Sequence, residues 1–382
     1  MSIFEVEHQE RAHRIIQRAL ASKRMPHAYL FAGPDGVGKE MLATRLAKTL
    51  LCQSPIRRDL PATIADTNED SKGLDACEKC QDCALVDADT HPDLFLIYRQ
   101  LNKQHPDSVI RKQKALFLGV EIIRHFLVDR AGTRPNRGKA KVFILREAER
   151  MNEAAQNCLL KTLEEPPGAT FLIVLTNAAD RMLPTTRSRC QQVIFRSLPT
   201  EFIKEQLTTL RPDADQVVID YVAKHAAGSL GAALQQIDDD LFSIKQNWGQ
   251  QLTKLVASKT APAPNSLAKP FQEDAKTLGQ CALDRDPEMS QTDATRQGLK
   301  MMLSVLADFY LDALHKITGN QVPLINADQP KMVDRLIKTH NSQSIISAMR
   351  RLSQAEANLS RNANIELTLE AMFIQLAKAT GN

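Results

Sequence analysis

No run of about 18 apolar residues occurs anywhere in the 382-residue chain, so no segment reads as a membrane-crossing helix. The opening stretch MSIFEVEHQERAHRII lacks the apolar centre and cleavage site of an export signal and is charged and helix-like instead. The expectation is a cytoplasmic protein. A charge excess is missing too: 49 Lys plus Arg face 45 Asp plus Glu, too slight a bias to imply nucleic-acid binding from charge alone. No internal repeat is evident, and 43% apolar with 25% charged residues excludes a disordered or fibrous chain. What remains is globular and too long for one small core, with room for two or three domains of about 100–200 residues each. Seven cysteines without an export signal favour thiols or metal ligands over a disulfide framework.

Short apolar runs alternate with helical patterns through the first half, at Ala28–Ala32, Leu94–Tyr98, Val142–Leu145, Phe171–Leu175 and Val193–Phe195. This alternation predicts a parallel sheet with helices on both faces. Between the third and fourth runs, Ala155, Cys158, Leu159, Thr162 and Leu163 recur at helical spacing, and Pro166-Pro167-Gly168 ends that helix. After Leu198-Pro199 the strand signals stop. Segments from Glu201, Ala214 and Ser229 read as three short helices, a small second domain. From about residue 241 the pattern is helical to the end, broken by surface loops expected at Ser258–Pro270 and Asp284–Thr295.

The stretch GPDGVGKE, Gly33 to Glu40, joins a strand to a helix and fits G-x-x-x-x-G-K. Such a loop aims backbone N–H groups and a helix dipole at an anion. Gly33, Gly36, Gly38 and Lys39 are therefore the candidate nucleotide-binding residues. Hydrolysis also needs Mg²⁺, held by a Ser or Thr after the lysine and by an acid ending a second strand. Here Glu40 takes the first place, and the strand KVFILREAER ends in Arg146-Glu147. Both metal contacts are lost. The two replacements are opposite in charge, which predicts a Glu40–Arg146 ion pair where Mg²⁺ would sit; the alternative is two side chains pointing separately into water. An acid beside the loop makes nucleotide binding weak at best.

Cys77-x2-Cys80-x2-Cys83, with Cys52 upstream, supplies four thiols suited to tetrahedral zinc. Cys52 lies 25 positions before Cys77, so the polar loop Gln53–Ala76 must fold out and return. A metal-free cluster, or His91 in place of Cys52, are the competing readings. Cys158, Cys190 and Cys281 are too widely spaced to join. The segment Arg124–Lys141 holds six Lys/Arg and one acid, a contact for DNA phosphates or a solvated loop.

HAYLFAGPDGVGKE, CLLKTLEEPPGATFLIVLTNAADRMLPTTRSRCQ and RRLSQAEANLSRNANIELTLEAMF together resemble the clamp-loader branch of the AAA+ ATPases. The resemblance covers nearly the whole chain and is weakest at 53–76 and 255–300, read as insertions or divergent loops. It implies a P-loop AAA+ α/β domain over 1–198 with an inserted four-cysteine zinc module (52–83), a three-helix lid over 199–240 and an all-α collar over 241–382. In that family a Ser-Arg-Cys triplet, here Ser188-Arg189-Cys190, sends an arginine across a subunit interface to a neighbour's ATP. A guanidinium suits this task, being permanently charged and offering a planar fork of donors. Arg189 is thus the candidate catalytic residue, with a local cap through a nearby carboxylate as the alternative. Thr176 matches the family's polar sensor, or forms a simple turn. Gly231 stands where a sensor arginine would be.

The function implied is a non-hydrolysing subunit that carries structural zinc, binds ATP weakly or not at all, and helps load a sliding clamp on primed DNA. Its partners would be gamma/tau-like motor subunits and a delta-like subunit, within a DNA polymerase holoenzyme that is a nucleotidyltransferase. Rival readings are an ATP-hydrolysing motor subunit of the same family and a free-standing zinc- and DNA-binding adaptor.

Overall fold

The computed structural model describes residues 2–22, 24–61, 64, 72–137, 140–257 and 265–378. The chain divides into two compact units, Met1–Pro199 and Thr200–Asn382. Among the described residues no helix is long and apolar enough to cross a membrane.

Among the described residues the first unit contains seven strands: β1 (Ala28–Ala32), β2 (Ile56–Asp59), β3 (Lys72–Asp75), β4 (Leu94–Ile97), β5 (Lys141–Leu145), β6 (Thr170–Thr176) and β7 (Gln191–Ile194). Five of them form one parallel sheet in the order β4-β5-β6-β1-β7. All five apolar runs read from the sequence are strands of this sheet. β1 and β5 are buried at every position, which is why they read as continuous apolar runs and not as alternating ones. The helix Glu153–Glu164 runs back between β5 and β6. Asn152 caps its start by accepting a hydrogen bond from the Ala155 N–H at 2.8 Å, and Pro166-Pro167 follow its end. Its Leu159 and Leu163 join Phe143, Leu145, Leu172 and Val174 in the core. A fully buried side chain of this size contributes about 1.5–3 kcal/mol.

The segment Gln53–Ala76 does fold out and return. Its described part includes the antiparallel pair β2–β3, with Ile56 opposite Asp75 and Arg57 opposite Leu74; residues 62, 63 and 65–71 lie outside the described part.

Among the described residues the second unit has helices and no strand. The three short helices are Thr200–Leu210, Gln216–His225 and Leu230–Asp238, and they share one compact unit with the helices that follow. Two loop expectations are corrected here. Residues 258–264 lie outside the described part, but Asn265–Pro270 opens a helix, Asn265–Arg285, which carries Pro270 inside it. Likewise Asp284–Thr295 is not one loop: Asp284 and Arg285 end that helix and Gln291 begins the next, Gln291–Ile317. Ser290 caps it by accepting from the Asp293 N–H at 3.1 Å, so the polar residues that suggest a loop are a helix start. The described residues of 255–300 are therefore mostly helix. Its two long helices cross closely at glycines: a Cβ on Gly298 would lie 2.0 Å from the Ala275 carbonyl oxygen, and one on Gly279 would lie 2.7 Å from that of Ala294. Trp248, Phe271, Phe309 and Phe373 fill the core beside that crossing.

Candidate functional site

The loop Gly33–Lys39 leaves the carboxyl end of β1 and turns into the helix Lys39–Leu51. Gly36 and Gly38 take positive φ of 70° and 98°, and a Cβ on Gly33 would press within 2.5 Å of the Phe195 carbonyl oxygen. The path is that of a phosphate loop, yet its lysine is turned back onto the loop. The buried Lys39 ammonium donates to the carbonyls of Gly33 and Pro34, both at 2.5 Å, and reaches Asp35 Oδ1 at 3.3 Å. Asp35 Oδ2 also accepts from Asn177 Nδ2 at 2.6 Å. The loop's own carboxylate thus takes contacts that a phosphate would need.

The neighbouring side chains are engaged within the chain as well. Arg146, directly after β5, forms an ion pair with Glu40 in the first turn of the loop helix, so the expected pair is present. Thr176, at the end of β6, donates its hydroxyl to Glu149 at 3.0 Å and accepts from the Ala178 N–H at 3.1 Å. Gly231 sits in the helix Leu230–Asp238 and has no side chain to offer.

Arg189 lies at the other edge of the sheet. It ends the short helix Pro184–Ser188 and precedes β7, whose first residue pairs with Tyr29 near the start of β1. The loop follows the end of β1, so the five residues of that strand, roughly 17 Å at ~3.3 Å each, separate Arg189 from its own phosphate loop. The guanidinium is held locally: Nη2 meets Glu164 Oε1 at 2.6 Å and Nη1 donates to the Thr185 carbonyl at 2.9 Å. The carboxylate contact weighed in the sequence is therefore present in the isolated chain. Cys190 is buried behind it, and burial pushes its thiol up to about 12.

Cys52, Cys77, Cys80 and Cys83 converge, with all four Sγ atoms within 4.8 Å of one another. Four sulfurs on a tetrahedral metal at ~2.3 Å would stand about 3.8 Å apart. The Cys52–Cys80 and Cys77–Cys83 separations are 3.8 and 3.9 Å, close to that value and far too long for disulfides. The residues present fit a metal. Backbone N–H groups of Cys77 and Cys83 donate to the sulfurs of Cys52 and Cys80 at 3.3 and 3.5 Å. The backbone N–H of Lys79 draws the Cys77 thiol down to about 6, whereas burial pushes those of Cys52 and Cys83 up. His91 stands outside the cluster. Its Nδ1 accepts from the Asp93 N–H at 3.1 Å, and burial lowers its pKa. Around the module, Lys48 bridges Glu78 at 2.7 Å and Asp87 at 2.7–2.8 Å, and Arg137 pairs with Asp82.

Three of the six basic side chains of the segment 124–141 are engaged by the fold, while Arg124 and Arg134 are exposed. Lys141 is buried in β5 and donates to the Arg130 carbonyl at 2.6 Å; Arg130 lies over Phe95 and Phe126; Arg137 serves Asp82 and Gln81. Lys139 lies outside the described residues. Asp35, Asn177, Glu149, Glu164 and Lys48 escape the sequence reading. Asp35 is inside the quoted loop and Asn177 follows Thr176, but only the fold brings them within reach of each other.

Two family models match the chain: "DNA polymerase III, delta subunit" over residues 8–199, and its C-terminal counterpart over 289–378. DNA polymerase III subunit delta' of Pseudomonas aeruginosa is 27% identical over 358 residues, covering 93% of each chain. DNA polymerase III subunit tau of Escherichia coli is 30% identical over 258 residues, 66% of this chain and 35% of tau. A gamma subunit-related protein of Thermotoga maritima aligns over 97% of this chain and 99% of its own, at 16% identity and a TM-score of 0.40, too loose a likeness to argue from.

Proposed function

Because the chain belongs to the family described as DNA polymerase III, delta subunit, we propose that it is a non-hydrolysing, delta-prime-like subunit of the clamp loader. The single observation that carries this reading is the opposition of the two sheet edges. At the carboxyl edge the groups that would meet phosphate or metal are engaged within the chain: Lys39 by loop carbonyls and Asp35, Glu40 by Arg146, Thr176 by Glu149. At the amino edge stands Arg189, partly exposed and beyond reach of its own loop. An arginine so placed can serve a triphosphate only if another subunit brings it.

In this reading Gly33, Gly36, Gly38 and Lys39 keep the architecture of a nucleotide site and bind nucleotide weakly or not at all. Cys52, Cys77, Cys80 and Cys83 hold a structural zinc, which would supply no open coordination position for chemistry. The three helices of 199–240 act as a lid and 241–382 as the collar through which the ring assembles. Gamma/tau-like motors and a delta-like subunit are the partners; the sliding clamp and primed DNA are met through the assembly. Arg189 lends its fixed positive charge to the phosphoryl oxygens of the neighbour's ATP as charge develops during transfer.

Reconstitution with the motor subunits tests the reading. Arg189→Ala is expected to suppress ATP hydrolysis by the assembled loader while leaving assembly intact. Turnover of Mg-ATP by the purified chain alone, abolished by Lys39→Ala, would overturn it in favour of a motor subunit.

A further inference from the structure

Resting on the reading of Arg189 as an arginine given to a neighbour, we propose that Glu164 is its positioning residue, a counter-ion that keeps the guanidinium turned onto its own chain until a triphosphate displaces the carboxylate. Both terminal nitrogens of Arg189 are engaged, Nη2 by Glu164 Oε1 at 2.6 Å and Nη1 by the Thr185 carbonyl at 2.9 Å. The fork that would grip two phosphate oxygens is therefore already occupied. Glu164 has its own reason to hold a cation. It is the last residue of the helix Glu153–Glu164, where unpaired carbonyls and the negative end of the dipole disfavour an acid. Glu165 follows, and Pro166 and Pro167 after it prevent the helix from continuing.

The latch is built to release. Side-chain exposures of 35% for Arg189 and 49% for Glu164 leave the pair in contact with water, where such pairs are weak. A triphosphate carries several charges against the single one of the carboxylate, so it wins the guanidinium once docked. Before docking, Glu164 withholds Arg189 and slows hydrolysis by a ring that is not fully closed.

The test uses the assembled loader without clamp or DNA, with variants compared at equal assembled concentration. Glu164→Gln is expected to raise kcat for ATP by about two- to fivefold, the weight of one exposed ion pair, with KM unchanged. Glu164→Ala should do the same, and neither should have any effect in an Arg189→Ala background. A helix-packing role for Glu164 would lower turnover and would not depend on Arg189. If Arg189→Ala itself leaves turnover at the wild-type rate, the reading of Arg189 fails. If Arg189→Ala suppresses turnover but both Glu164 variants run at or below the wild-type rate, that reading stands and the counter-ion role is overturned.

Discussion

Rebuilding a metal position beside the phosphate loop tests the proposal that the Glu40–Arg146 pair stands in place of Mg²⁺. Glu40 and Arg146 are 47% and 36% exposed, so their pairing alone contributes at most about 1 kcal/mol. Their effect on a bound nucleotide is larger. Two unit charges about 4 Å apart interact by ~1 kcal/mol in bulk water and ~4 kcal/mol near a protein surface. Glu40→Thr alone frees Arg146 beside the loop, and Arg146→Asp alone sets two acids together; each restores one metal contact of two. The double variant places a hydroxyl and a carboxylate where working P-loop enzymes hold Mg²⁺. Titration calorimetry with Mg-ATP should then show at least about tenfold tighter binding than the better single variant, a difference of about 1.4 kcal/mol and within the Coulomb range above. The gain should vanish in EDTA. Adding Asp35→Ala should tighten binding again, because Lys39 and Asn177 lose their internal anion. A double variant no better than its better parent, or a gain that survives chelation, refutes the argument that the pair took the place of the metal.

Other consequences can be measured directly. Cys52→Ser should lose bound zinc, read with a chromogenic chelator, and lower the melting temperature, while His91→Asn should keep the metal; the opposite pattern would make His91 the fourth ligand. Gly298→Ala should cost about 1–3 kcal/mol in denaturant unfolding, since its Cβ would fall 2.0 Å from a backbone oxygen on the facing helix. His13 and His340 both have lowered pKa values, chiefly from burial. The unfolded chain binds more protons below about pH 6.5, so stability present at neutral pH is lost as pH falls, by at most about 1.4 kcal/mol per pH unit per histidine. His13→Gln should flatten that slope in melts between pH 7 and 5; an unchanged slope would exclude His13 as a source.

The sheet was legible because its central strands β5, β6 and β1 are buried almost throughout and read as unbroken apolar runs, and the Glu40–Arg146 pair because two opposite charges fall on positions that a P-loop fold brings together. The helix starts at Asn265 and Gln291 were not, since the polar residues that cap or open a helix are those that also make loops. Helix Asn265–Arg285 was further hidden by Pro270, a residue that usually ends helices. Asp35 and Glu164 were invisible for a different reason. Their partners Asn177 and Arg189 lie 142 and 25 residues away, and a single sequence without the fold carries no sign of such pairings.

The helix Lys39–Leu51 is about 20 Å long and is moored at both ends. Its first turn is tied through Glu40 to the end of β5, and its last through Lys48 to the cysteine module, with Cys52 the very next residue. A rod with two moorings conveys displacement instead of absorbing it. The thiol cluster and the glycine loop therefore sit at the two ends of one short helix, so a disturbance of the cysteines would reach the Glu40–Arg146 pair through about three and a half turns of hydrogen-bonded backbone.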